Sequence, residues 1–199
     1  TAQDLGLDTE VTAFCPRQDN VEILCITVRN QQEQPRWLTP IAAVPLYGRS
    51  ADNIRDHRNV TSMLHRIWTT ENGVMVRPTM SFDERGHRPN HKVYYVEGFG
   101  PEGQKPEAFY PTVESFLGEG GTYLHPRAVY EQYPGVKAGS RAEGREAMGA
   151  FRFPAITLAP GQEAHYVLLL GVEDSEEAVN AIWDKYHSWE QVQAVLDET

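Results

Sequence analysis

Apolar residues recur along most of this chain in short runs with a period of two, each closed by glycine, proline or a polar turn. Residues 11–15 alternate in this way and stop at Pro16. The segment Val21-Glu-Ile-Leu-Cys-Ile-Thr-Val28 is β-branched, apolar on nearly both faces, and closes at Asn30. Near-continuous apolarity of that length predicts a central strand covered on both sides. Residues 37–47 are apolar too, but Pro40 and Pro45 remove ladder donors, so an edge strand or two shorter pieces is expected. Residues 63–69 and 74–80 flank Thr70-Glu-Asn-Gly73, where Asn-Gly favours the positive φ angles of a tight hairpin turn. Residues 93–96 predict a further strand, ended by Gly98. Residues 151–158 and 164–170 flank Pro160-Gly161, with proline presetting one φ and glycine supplying a positive one. Many short strands joined by such turns predict an antiparallel sandwich or barrel.

Two stretches, residues 98–106 and 134–146, mix glycine or proline with charge and show no period. Both exceed the usual loop length, so they either cover the sandwich or serve a neighbouring domain. The period changes at Asp174, which is placed to cap a helix with Glu177 three residues on. Ala178, Val179, Ile182, Trp183 and Tyr186 then share one helical face. Ser188 and Gln191 repeat the capping signature, and Trp189, Val192, Val195 and Leu196 line a second helix. The expected organisation is a β domain over residues 1–173 and two helices over 174–199. Their apolar stripes call for cover, partly from the sandwich and partly from an element beyond Thr199.

Charge and cysteine content narrow the function classes. Lys and Arg number 18 against 28 Asp and Glu, a formal net charge of −10. Nucleic-acid backbones and anionic lipid are unfavourable partners for such a surface. No apolar run reaches the length of about 18 residues that a membrane-spanning helix needs. The 40% apolar content is enough for one sizeable core. Two cysteines, Cys15 and Cys25, exclude a disulfide-dense scaffold and a cysteine-rich zinc module. Reduced thiols in a cytoplasmic protein fit the pair, and so does a single bridge between neighbouring strands. The chain opens at Thr1 with neither initiator Met nor signal peptide, which reads as a processed product or a piece of something longer.

The densest polar stretch runs from residue 48 to residue 66. It supplies the candidates for binding or for an interface: Arg49, Arg55, Asp56, His57, Arg58, His65 and Arg66. Planar guanidinium donors beside a carboxylate and an imidazole suit a carboxylate, a phosphate or sugar hydroxyls. A solvated, salt-bridged loop accounts for the same composition. A metal site is disfavoured, because the histidine spacing matches no ligand motif and the arginines repel a cation. His87 and His91 fall in a Gly/Pro-containing segment and read as exposed turn residues, while His125 and His165 read as packed. The Gly-rich Phe116-Leu-Gly-Glu-Gly-Gly-Thr122 lacks the Lys-Ser/Thr of a phosphate loop and reads as a tight turn between strands. Trp37, Trp68, Trp183 and Trp189 are core residues or sugar-stacking platforms. No catalytic residue can be assigned.

Several segments taken in order resemble the N-terminal domain of glycoside phosphorylases, that is glycoside hydrolase family 94 and its relatives (formerly glycosyltransferase family 36), such as cellobiose and chitobiose phosphorylases. They are Val21-Glu-Ile through Val28-Arg-Asn30 with Gln34-Pro-Arg-Trp-Leu38, then Phe116-Leu-Gly-Glu-Gly-Gly-Thr-Tyr123 with Pro126-Arg-Ala128. Phe153-Pro-Ala-Ile-Thr-Leu-Ala-Pro-Gly-Gln-Glu163 and Leu168-Leu-Leu-Gly171 are similar to the last hairpin of that domain, and Ile182-Trp-Asp-Lys-Tyr186 to the linker that follows it. The resemblance implies an all-β, antiparallel two-sheet supersandwich of the galactose mutarotase kind, ending in two C-terminal α-helices. It implies that the first strands lie before Thr1, and that 174–199 leads to an (α/α)6 barrel. That barrel would carry the catalytic Asp and the phosphate site for phosphorolysis of β-linked gluco-oligosaccharides. The chain would then be non-catalytic, supporting the dimer and the active-site mouth. Its implied partners are carbohydrate, the catalytic barrel and a second copy in a homodimer. No cofactor is implied beyond inorganic phosphate as the parent's co-substrate. An autonomous carbohydrate-binding or mutarotase-like protein is the alternative, and it would need a His acid and a Glu base converging in a cleft on the sheet.

Overall fold

A computed structural model describes residues 6–48, 58–83 and 86–198. The first half contains β1 (Leu7–Phe14), β2 (Val21–Asn30), β3 (Arg36–Leu38), β4 (Ile41–Leu46), α1 (Arg58–Ser62), β5 (His65–Thr69), β6 (Gly73–Pro78), β7 (Met80–Asp83), β8 (Gly86–Pro89) and β9 (Val93–Phe99). There follow β10 (Ala108–Thr112), α2 (Val113–Leu117), α3 (Arg127–Tyr130), β11 (Arg141–Glu143), β12 (Ala147–Arg152), β13 (Ile156–Leu158), β14 (Glu163–Glu173), α4 (Glu176–Tyr186) and α5 (Trp189–Asp197). None of these helices is long and apolar enough to cross a membrane.

Seven strands form one sheet in the order β1-β2-β14-β9-β6-β5-β11, and three form a second in the order β10-β12-β4. All of their pairings are antiparallel. Strand alternation sorts the side chains into layers. Val74, Val76, Val96 and Leu168 of the large sheet meet Phe109, Ala147 and Phe151 of the small one, which makes the interior of the sandwich. On the other face of the large sheet, Ile23, Met75, Tyr95 and Leu169 are covered by Val179, Ile182 and Tyr186 of α4 and Val192 of α5. On the outer face of the small sheet, Tyr110, Met148 and Ala150 are covered by Phe116 of α2 and Ala128 of α3. Two sheets face each other and a pair of helices lies on each outer side. The expected sandwich is present, and the C-terminal helices form one of its layers.

Proline divides residues 36–46 as expected. β3 ends before Thr39-Pro40 and pairs with β13, while β4, with Pro45 inside it, lies at the edge of the small sheet. The hairpin between β5 and β6 is also formed, with Thr69 opposite Val74, but neither Asn72 nor Gly73 takes a positive φ. The Thr70 hydroxyl organises this turn, accepting the N–H groups of Asn72 and Gly73, both at 3.1 Å. Gly73 is needed for a different reason, since a Cβ there would lie 2.0 Å from the Val96 carbonyl oxygen. At Pro160-Gly161 the glycine is positive, at φ 73°. The strands on either side do not form a hairpin, however, because β13 pairs with β3 and β14 with β2 and β9.

Other expectations are corrected. β9 runs through Gly98 to Phe99. The Gly-rich stretch joins helices rather than strands, and Gly118 caps the end of α2 by donating to the Glu114 carbonyl at 2.9 Å. His87 lies in β8, whose four residues are all exposed. The cap of α4 is Ser175, whose hydroxyl accepts from the Ala178 N–H at 3.2 Å, and Asp174 instead pairs with Lys92. The cap of α5 is as expected: Ser188 Oγ accepts from Gln191 N–H at 3.3 Å, and Gln191 Oε1 accepts from Ser188 N–H at 3.1 Å.

One carboxylate is fully buried. Glu97 lies on the same strand face as Tyr95 and Phe99, opposite Gly73, and has no exposed surface. Its Oε1 accepts from the Thr70 hydroxyl at 3.2 Å, and its Oε2 has no hydrogen-bond partner among the described residues. Burial pushes this carboxyl up to about 7, against the smaller opposing effect of the Thr70 bond.

Candidate functional site

Of the seven sequence candidates, Arg49, Arg55, Asp56 and His57 lie outside the described residues, as does the side chain of Arg58, which begins α1. His65 opens β5 and is buried, at 4% exposure. Its Nδ1 stands 3.1 Å from the Arg145 carbonyl. A carbonyl only accepts, so Nδ1 carries the proton. The Arg145 guanidinium in turn reaches Glu114 of α2 at 3.1 Å. Arg66, next along β5, donates to the His65 carbonyl at 3.1 Å and lies 3.6 Å from the Glu143 carboxylate. Both of those side chains are well exposed, so their pair contributes at most about 1 kcal/mol.

His65 lines a small recess with Tyr47, Ser62, Tyr123 and Glu146. The end of β4, the end of α1, the start of β5, the segment after α2 and the start of β12 therefore meet at one place. Two of its lining residues are exposed aromatics, and apolar residues close to the lining in sequence are exposed as well. Tyr47 and Tyr123 are 45% and 51% exposed, Leu124 follows Tyr123 at 91%, and Val60 and Met63, which flank the buried pair Thr61–Ser62 in sequence, are 51% and 66% exposed. Exposed apolar groups gathered in this way mark interaction surfaces.

Elsewhere the titratable groups serve the framework. Cys15 and Cys25 are both free thiols, the first exposed and the second buried, and burial pushes the Cys25 thiol up to about 11. Among the described residues no group of three His, Cys, Asp or Glu is placed to hold a metal ion. His125 stacks on Tyr130 with ring centroids 4.0 Å apart. His165 and Glu163 approach to 3.6 Å on β14, but Glu163 is already engaged by Arg29 through Nε at 3.0 Å and Nη2 at 2.5 Å. A carboxylate held in that way is a poor general base.

This framework, taken from residue 1 to residue 189, matches the family model of the glycosyl hydrolase 94 supersandwich domain. The chain belongs to that family. No curated protein matches it. The matched span of the supersandwich domain takes in α4 whole and ends on the first residue of α5. The fold and the family are thus those that the sequence resemblance implied. Sequence reading missed the apolar rim of the domain. Tyr47 stands immediately before the polar stretch and was legible as a neighbour, but Tyr123 reaches the recess from the segment between α2 and α3. Those helices have five and four residues, too few to show a period.

Proposed function

We propose that this domain is the non-catalytic N-terminal part of a glycoside phosphorylase acting on β-linked gluco-oligosaccharides, and that its face around His65 abuts the parent's catalytic barrel or a second subunit. Exposed apolar residues carry the reading: Tyr47 and Tyr123 line the recess beside the candidate His65, and Val60, Met63 and Leu124 are exposed close to its lining residues in sequence. A surface that only solubilised the domain would not collect such groups. Carbohydrate and inorganic phosphate are then ligands of the parent, and the domain's part is to shape and steady the mouth of its site. Family membership supports the domain's place in such an enzyme.

The test is made in the full-length parent with Met63→Glu, Arg55→Ala and Arg58→Ala. A desolvated interface arginine costs roughly 2 kcal/mol or more on truncation, against about 0–1 kcal/mol for a solvated one. Weakened subunit or domain association, with reduced phosphorolysis, is the expected result. The chain by itself is expected to release no sugar 1-phosphate. Wild-type kinetics and association in all three variants would overturn the proposal.

A further inference from the structure

A cleft of about 610 Å3 opens far from His65 in the chain, between the turn at residues 101–103, the start of β14 and the junction of α4 and α5. One wall is a ring stack. His165 and Trp189 lie with centroids 4.3 Å apart and planes 19° from parallel, and the His165 Nδ1 is 3.0 Å from the Thr27 hydroxyl. The flat rings are thus fixed from both the sheet and the helix.

Acceptors outnumber donors among the side chains of the cleft, where Ser188 and Trp189 can also donate. Glu102 on the turn and Glu190 on α5 are exposed carboxylates that make no hydrogen bond or ion pair with the described residues. His187 directs Nδ1 at the carbonyls of Trp183 and Asp184, at 3.2 and 3.1 Å. Nδ1 therefore carries the proton, and in the neutral ring Nε2 is an acceptor. Glu163 is satisfied by Arg29. An acceptor-rich cleft calls for a donor-rich ligand. The acceptors sit on separate walls, and no three of them are grouped as a cation would require. Dispersed acceptors suit dispersed hydroxyls, and the half-buried ring pair gives an apolar wall against which the C–H groups of a sugar can pack.

We propose that this cleft binds a pyranose unit of a neutral oligosaccharide, with the ring lying along the His165–Trp189 stack and its hydroxyls donating to Glu102 and Glu190. This is a binding site on the supersandwich itself and does not depend on the proposed contact around His65. The indole N–H resonance of Trp189 reports on it in the 199-residue chain. Cellotriose and laminaritriose serve as probes, and spermine as a cationic control.

The expected result is a saturable shift of the Trp189 signal with the neutral sugars and no shift at Trp37, which is exposed on β3. Replacing Glu102 and Glu190 together by Ala weakens binding by about tenfold or more, and urea unfolding of the same variant reads separately the cost of losing the acidic residue in the first turn of α5. Three results would each overturn the proposal: no shift with either sugar, a shift undiminished in the double variant, or a shift with spermine alone.

Discussion

Replacing Glu97 by Gln should make the domain more stable above pH 7 and leave it nearly unchanged near pH 5. The carboxyl is fully buried, has one hydrogen bond from Thr70, and has an Oε2 without a partner. Its acid constant moves from 4.5 to about 7 on folding, mainly through burial. Between those values the folded state binds a proton that the unfolded state has released. Stability is therefore complete below pH 4.5 and is lost as pH rises through about 7. At 1.36 kcal/mol per unit, the ionised carboxylate costs about 3 kcal/mol once the loss is complete. Glutamine has the same shape and no charge, so it escapes that loss. Its amide N–H groups find no acceptor where Oε2 lies, which costs about 1–2 kcal/mol at every pH. The net gain at pH 8 is then about 1–2 kcal/mol, turning into a small deficit at pH 5. Urea unfolding followed by tryptophan fluorescence, in both proteins at both pH values, measures the difference directly. Titration of all other groups cancels in that comparison. A wild-type-to-variant difference that is the same at pH 5 and pH 8 would refute the assignment of a buried, protonated Glu97.

Two further substitutions test the framework. Gly73→Ala places a methyl group 2.0 Å from the Val96 carbonyl oxygen and 2.6 Å from the Glu97 Cα, so the β6–β9 ladder must part. Destabilisation of about 1–3 kcal/mol is expected by urea titration, and an unchanged midpoint would contradict the close approach. Ser188→Ala removes the side chain that caps α5 and should cost about 1 kcal/mol. Loss of amide protection confined to α5 in hydrogen exchange would locate the effect, and unaltered protection there would count against the cap.

The parts of the fold legible in the sequence are those whose signal is local. Apolar alternation marked β2 and β14, proline divided β3 from β4, and Ser188 with Gln191 marked the start of α5. The turn at residues 70–73 was placed for the wrong reason. Asn-Gly suggested backbone conformation, whereas the Thr70 hydroxyl and the nearby Val96 carbonyl decide it, and the second of those is distant in sequence. β13 and β14 read as a hairpin because their turn is clear, but partner choice depends on where β3 and β2 already lie. In the candidate site, His65 and Arg66 were found by composition. Tyr123 and Arg145 reach it through tertiary packing that no periodicity announces. His165 read as a packed residue, and its stack with Trp189 requires α5 to fold back on the sheet.

The position of β14 bears on the order in which this chain can assemble. It lies between β2 and β9, bonded along most of its length to both. Without it the large sheet is two separate pieces, the N-terminal ribbon β1-β2 and the block β9-β6-β5-β11. Its residues, 163–173, follow all the other described strands in sequence, so a growing polypeptide has synthesised those strands before the seam can close. Among the described strand pairings the longest loop closure, that of β2 with β14, thus falls on a late event, a high-contact-order arrangement that folds slowly. Until then, the flanks of β2 and β9 present unpaired edges, and these are the surfaces most open to mispairing with another chain.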